Sequence, residues 1–191
     1  MSDILSDLGF TLFDTAIGRC GIAWNVRGIA RVCFPEGSEE KTRQRLLRRC
    51  PEARETAPPP EVQKAIDDII ALLAGERRDL THVPVDLSPL PDFSRRVYEI
   101  VRTIPPGKTL SYGEIAERLG DKALARDVGQ AIGQNPVPII VPCHRVLAAG
   151  GKMGGFSAPG GTKTKLRLLD IERAQPGGPT LFDHLPLAQR A

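Results

Sequence analysis

The stretch Val137–Leu147, VPIIVPCHRVL, constrains this chain more than any other. An apolar run bracketed by Pro138 and Pro142 passes without a spacer into Cys143, His144 and Arg145. Proline fixes its own φ and biases the residue before it to extended geometry. The run therefore reads as a stiff buried strand whose end delivers a thiol, an imidazole and a guanidinium to one place. Neighbouring strand residues point to opposite faces, so His144 is expected to reach Cys143 around a bend or through a water. Arg145 reads as an anchor for the loop or a source of positive potential.

The thiolate, not the thiol, is the nucleophile, and a free cysteine with a pKa of roughly 8.5 is mostly protonated at neutral pH. A base can change that, and such a base needs a third group to orient it. Glu172 is the candidate: it follows Leu169 by three and Leu166 by six on the edge of a helix's apolar stripe. A surface acid is an equal reading of that position. Cys20, Cys33 and Cys50 read as small buried hydrophobes. Taken singly, Tyr112 reads as core filler and Arg126 as part of a solvated face.

The chain has 191 residues, 41% hydrophobic and 26% charged, which suits a soluble globular protein of one or two small domains. No apolar run approaches the roughly 18–20 residues of a membrane span, and MSDILSDLGF does not read as a signal peptide; the cytoplasm is the expected location. The four cysteines lack CxxC spacing, and adjacent Cys143 and His144 lack zinc-ligand spacing, so free thiols and no metal are expected. Positive charge is uneven: residues 93–172 hold 12 Lys/Arg against 7 Asp/Glu, and the remainder 14 against 16. That weakly favours a polyanionic partner for the second half.

Residues 10–35 read as β structure with turns at IGRCG and NVRG. Helices follow at EEKTRQRLLRRC and EVQKAIDDIIALLAG, the second stopped by Gly75. HVPVDLSPLPD carries three prolines in eleven residues and marks a linker near residues 84–92. FSRRVYEIVRTI reads as an amphipathic helix with Phe93, Val97, Ile100, Val101 and Ile104 on one side. In LSYGEIAERLG, Ser111 and Glu114 form a capping-box pattern and Gly120 stops the helix. LARDVGQAIGQN supplies a second helix with Leu124, Val128, Ala131 and Ile132 buried, so the pair reads as helix-turn-helix. Its other face offers Lys122, Arg126, Gly129, Gln130 and Gly133. Thr162 is expected to cap KTKLRLLDIER. A thiol enzyme and a binding module without chemistry each explain half of this region.

NPVPIIVPCHRVL resembles the active-site signature of the O6-alkylguanine-DNA alkyltransferases, the methylated-DNA–protein-cysteine methyltransferases. PPGKTLSYGEIAERLG and ARDVGQAIGQNP resemble the family's helix-turn-helix, and GGFSAPGGTKTKLRLLDIE its substrate loop and last helix. The likeness covers roughly residues 93–172. It implies an α+β fold: a small N-terminal α/β domain, ribonuclease H-like, over residues 1–88; a mainly helical domain with the helix-turn-helix and an active-site strand or loop over 89–175; and a tail over 176–191.

The resemblance also implies a reaction. The alkyl group of O6-alkylguanine in double-stranded DNA passes irreversibly to Cys143 after the nucleotide is flipped out of the stack. His144 is then the base through a water, oriented by Glu172. Tyr112 assists rotation and donates a proton to the leaving guanine. Asn135 is the hinge between recognition helix and active-site strand. Arg126 fills the gap in the duplex, with Ala125 and Gly129 beside it on the DNA-facing surface. Pro138, Arg145, Val146, Phe156 and Ser157 complete the substrate-binding set. The helix-turn-helix enters the minor groove, where sequence information is degenerate.

The implied protein is a monomer with no cofactor, no metal and no membrane partner. O4-alkylthymine as a second substrate stays open. The sequence departs from the family pattern at Phe156, where some members have tyrosine, and at SAPGG, longer than the SGG of many relatives. It departs also at Asp127, where a small residue is common, and in lacking the Cys/His set that binds zinc in some members. A lesion sensor without transfer activity and a cysteine hydrolase are the alternative readings; the reactive cysteine argues against the first.

Overall fold

A computed structural model describes residues 8–174 of the chain. The expected tail, residues 176–191, lies outside them. Alternating apolar residues with glycine-bearing turns give three antiparallel strands, β1 (Gly9–Thr15), β2 (Gly18–Asn25) and β3 (Gly28–Cys33). After helix α1 (Glu39–Arg49), the two-residue strand β4 (Arg54–Glu55) joins β1 in parallel, so the sheet order is β3-β2-β1-β4. Phe10, Ala23 and Cys33 share a cluster with Leu46 of α1. Ile22, Trp24, Ile29 and Val32 belong to the main core, with the apolar stripe of α2 (Pro60–Leu73). The period-two alternation of the strands thus gives each face its own cover.

The proline-rich segment expected as a linker lies along β3. Ile29 N–H donates to Pro84 O at 2.9 Å, and Asp86 N–H donates to Ile29 O at 2.8 Å. Gly28 is required here: φ is +133°, and a Cβ would lie 2.5 Å from Pro84 O. Arg102 Nη2 fastens the same segment by donating to the carbonyls of Leu80, Thr81 and Val83.

The second half contains α3 (Asp92–Arg102), β5 (Leu110–Ser111), α4 (Tyr112–Arg118), α5 (Ala125–Gly133), β6 (Val146–Leu147) and α6 (Thr162–Ile171). The chain is mixed α+β. Val97 and Val101 are buried as the spacing of α3 requires, and Tyr98 joins them. Tyr98 Oη donates to Ala131 O at 2.6 Å, tying α3 to α5. The Ser111–Glu114 capping box forms in both directions. Val128, Ala131 and Ile132 of α5 are buried, and Leu124 is half-buried. Among the described residues no helix is long and apolar enough to cross a membrane.

Three local expectations need correction. The run expected as a stiff strand is a tight turn, because Val141 N–H donates to Val137 O at 2.9 Å and Ile139 sits at φ 75°. Thr162 does not cap α6: Gly161, at φ 54°, occupies the cap position, and Thr162 is already helical. Leu166 is not part of the buried stripe of α6 but is exposed at 41%, while Lys165 is 0% exposed. The buried face is therefore Lys165, Leu168, Leu169 and Glu172, the 3–4 spacing of one helix face.

Substituting Tyr98→Phe keeps the ring and removes its hydrogen bond to α5. Its unfolding free energy, measured in urea, is expected to fall by about 1–2 kcal/mol.

Candidate active site

Asn135 builds the turn that carries the thiol. Its Oδ1 accepts from Val137 N–H at 3.0 Å, and its Nδ2 donates to Val141 O at 2.8 Å. One side chain thus clasps both ends of the Val137–Val141 loop and holds β-branched Ile139 in a left-handed conformation that costs on the order of 1–3 kcal/mol. Pro142, at φ −78° and ψ 68°, then forms an inverse γ-turn, with Cys143 N–H donating to Val141 O at 2.8 Å. Cys143, His144 and Arg145 follow as a single 3-10 turn. A turn, not the end of a strand, is what groups the three side chains.

Beneath that turn Glu172 receives two cations. Arg145 Nε donates to its Oε2 at 2.8 Å and Nη2 to its Oε1 at 2.7 Å, a bidentate pair. Arg145 Nη1 also donates to Ile104 O at the end of α3. His144 Nε2 lies 2.8 Å from Glu172 Oε1. Burial would raise the Glu172 carboxyl, but His144 and Arg145 outweigh it and hold the group down at about 2. An acid that strong cannot be the donor, so Nε2 carries the hydrogen. Burial lowers the His144 pKa despite Glu172, leaving a neutral ring whose Nδ1 is buried with no partner among the described residues.

Burial pushes the Cys143 thiol up, opposed by the Asn135 amide and by Lys165. Lys165 was missed in the sequence. Its Nζ donates to Val146 O at 2.6 Å and stands 5.9 Å from the centroid of the Phe156 ring. Burial lowers its own pKa, and the thiolate of Cys143 raises it back. The available signal was a lysine spaced three and four from Leu168 and Leu169; hydrophobicity alone hides it, because lysine scores as surface.

Cys143, Asn135, Pro138, Phe156 and Ser157 line one cavity of about 550 Å³. Ser157 Oγ donates to Gly133 O at 2.9 Å, pinning the substrate loop to the end of α5. The Phe156 ring meets the Phe34 ring of the N-terminal half edge-on at 5.9 Å. Tyr112 is half-buried at the start of α4, and its ring faces Gly129 of α5. Its hydroxyl sits on Gly154, where a Cβ would lie 2.7 Å away, so Gly154 is a second residue that sequence reasoning missed. Arg126 is exposed on the surface of α5 with half-buried Ala125 beside it, and neither lines the cavity. Val146 is buried in β6, paired with Leu110. Among the described residues no group of His, Cys, Asp and Glu is arranged to hold a metal ion.

Comparison with known proteins converges on one family. The 6-O-methylguanine DNA methyltransferase, DNA binding domain family matches residues 92–174. The methylated-DNA–protein-cysteine methyltransferase of Mycobacterium tuberculosis is 45% identical over 129 residues, covering 67% of this chain and 76% of that protein. The protein of that name from Methanothermobacter thermautotrophicus is 32% identical over 152 residues, covering 80% and 78%. A crystal structure of Mycobacterium tuberculosis OGT in complex with DNA superposes with a TM-score of 0.69 at 35% identity, covering 86% of this chain and 92% of the other.

The buried groups fix how stability changes with pH. Glu172 is depressed from 4.5 to about 2, so its contribution is complete above pH 4.5 and lost as pH falls toward 2. His144 is depressed from 6.5, so the unfolded chain protonates first and stability declines as pH drops below that value. Cys143 is raised from 9.0, so stability is lost as pH climbs above it. Urea midpoints are expected to be highest between pH 6.5 and 9; a midpoint that increases below pH 6 would contradict the assignment of a neutral His144.

Proposed function

This chain belongs to the methylated-DNA–protein-cysteine methyltransferase family, and from that premise we propose that it repairs double-stranded DNA by transferring the alkyl group of O6-alkylguanine to its own Cys143. The observation that carries this reading is a cysteine at the wall of a cavity sized for a base, backed by an imidazole whose outer nitrogen is fixed by a buried carboxylate.

Glu172 holds the His144 Nε2–H, which leaves Nδ1 free to accept the thiol proton through a water. The thiolate that forms faces the Asn135 amide and the Lys165 ammonium, both of which favour its charge. Attack occurs in line on the alkyl carbon: a sulfur–carbon bond forms as the carbon–O6 bond breaks, and guanine leaves. The Tyr112 hydroxyl supplies the proton that makes guanine a better leaving group. The thioether has no base that can reverse it, so each molecule acts once.

The reach of the thiol requires the nucleotide to leave the stack. Helices α4 and α5 act as the helix-turn-helix that presents the protein to the minor groove. Exposed Arg126 fills the space left by the base, and Ala125 and Gly129 permit close approach of the backbone. Pro138, Val146, Phe156 and Ser157 shape the pocket, Arg145 braces it, and Asn135 is its hinge. The order β3-β2-β1-β4, with β4 parallel to β1, supports a ribonuclease H-like reading of residues 1–88, with residues 89–175 as the DNA-binding and transfer domain. The protein works as a cytoplasmic monomer. A lesion sensor is the competing reading, and the presence of Cys143 within the cavity counts against it.

Intact-protein mass spectrometry after mixing with excess duplex carrying O6-methylguanine is expected to show one added methyl, mapped to Cys143. Cys143→Ser should bind the lesion and gain no mass. An unshifted wild-type protein that still holds the lesion tightly would indicate a sensor instead, and equal transfer by the variant would remove Cys143 from its role.

Lys165→Met preserves bulk and removes the buried cation. Single-turnover transfer is expected to slow about tenfold for each unit by which the thiol pKa rises. The rate profile should move to higher pH; an unmoved profile would reduce Lys165 to a packing role.

A further inference from the structure

The cavity that holds Cys143 extends beyond the wall that receives a base. Its far side comes from the N-terminal half, with Arg31 on β3 and Arg45 and Arg49 on α1. Arg45 is neutralised by Glu36, with Nη1 2.6 Å from Oε1. Arg31 and Arg49 form no salt bridge among the described residues, and Arg31 Nε is buried without a hydrogen-bond partner. A buried donor left unpaired costs roughly 1–3 kcal/mol. Guanidinium groups present planar donors that match a carboxylate or a phosphate. This wall of the cavity is therefore built to meet an anion.

Two anions belong to the substrate: the phosphates of its backbone and any acid carried on the lesion. Arg49 is exposed and accessible to either. Arg31 Nε is shielded from solvent, and hence from a backbone that follows the rim. Only a group that enters the cavity with the base can reach it. The O6 substituent is that group, since its first carbon must meet Cys143 and its remainder must occupy the same cavity.

We propose that Arg31 and Arg49 form an oxyanion subsite selecting O6 substituents that end in a carboxylate, so that carboxymethyl-type lesions are substrates beside methyl. This inference rests on the alkyl-transfer reading above. The sulfur of Cys143 bonds to the CH2 carbon, and the carbon–O6 bond breaks with its electron pair going to guanine, which takes up a proton. The carboxylate is unchanged and stays on the protein as S-carboxymethylcysteine.

The test compares transfer rates from three duplexes carrying O6-methylguanine, O6-carboxymethylguanine or the neutral, equally sized O6-carbamoylmethylguanine. The unaltered protein is expected to transfer carboxymethyl faster than carbamoylmethyl. In Arg31→Gln/Arg49→Gln the carboxymethyl rate should fall about tenfold or more, the scale of one charge-assisted hydrogen bond. The methyl and carbamoylmethyl rates should hold within about twofold, and this also reports that the variant is folded. A uniform drop across all three duplexes assigns the arginines to backbone phosphate and overturns the subsite, as does an unchanged carboxymethyl rate. A carboxymethyl-to-carbamoylmethyl ratio below one in the unaltered protein overturns it without any variant. Absent methyl transfer in the unaltered protein overturns the alkyl-transfer reading, and the subsite with it.

Discussion

The buried carboxylate of Glu172 is the interaction on which the rest depends. It accepts two hydrogen bonds from Arg145 and one from His144, and Arg145 reaches on to the last carbonyl after α3. Three segments distant in sequence are thereby joined at a point with almost no solvent. An ion pair so placed is costly to form and more costly to halve: removal of one partner from a buried pair is worth roughly 3–5 kcal/mol. Arg173, at φ 56°, turns the chain immediately after Glu172, and Ala174 N–H closes on Leu169 O at 2.8 Å. The carboxylate is thus held at a helix end that cannot extend past it.

That arrangement separates two tasks that share one turn of chain. Arg145 supplies charge balance, so Glu172 remains ionised whether or not His144 takes a proton. His144 can then stay neutral in the resting protein, with its free nitrogen available. A thiol buried against carbon is a poor acid, and here the correction comes from three directions: the Asn135 amide, the Lys165 ammonium and the neutral imidazole. Each is fixed by a further hydrogen bond to backbone or to Glu172, so little reorganisation is needed when charge develops.

Much of this was legible in the chain. The spacing of Val62, Ala65, Ile66 and Ile69 marked α2, the Ser111–Glu114 pair marked the start of α4, and Glu172 was found from its place on a helix edge. Other features were hidden for physical reasons. Prolines bracket a turn as readily as a strand, and a β-branched residue at φ 75° runs against its own preference; only the clasp of Asn135 explains Ile139. Strands of two residues, such as β4, β5 and β6, are too short to show a period. Lys165 was obscured because a hydrophobic stripe is sought among apolar residues, and exposed Leu166 beside it supplied a false one. Gly154 matters only because of what rests on it.

The edge of β3 has a consequence for how the molecule can be divided. Val32 N–H donates to Pro136 O at 3.0 Å, and Phe34 buttresses Phe156. The segment that matches the family, residues 92–174, therefore does not contain its own reaction vessel. One side of that vessel is on loan from a sheet encoded more than a hundred residues earlier than the thiol. Exchange of the first thirty-odd residues between relatives is a change of active-site shape, however remote it looks in the linear order of the chain.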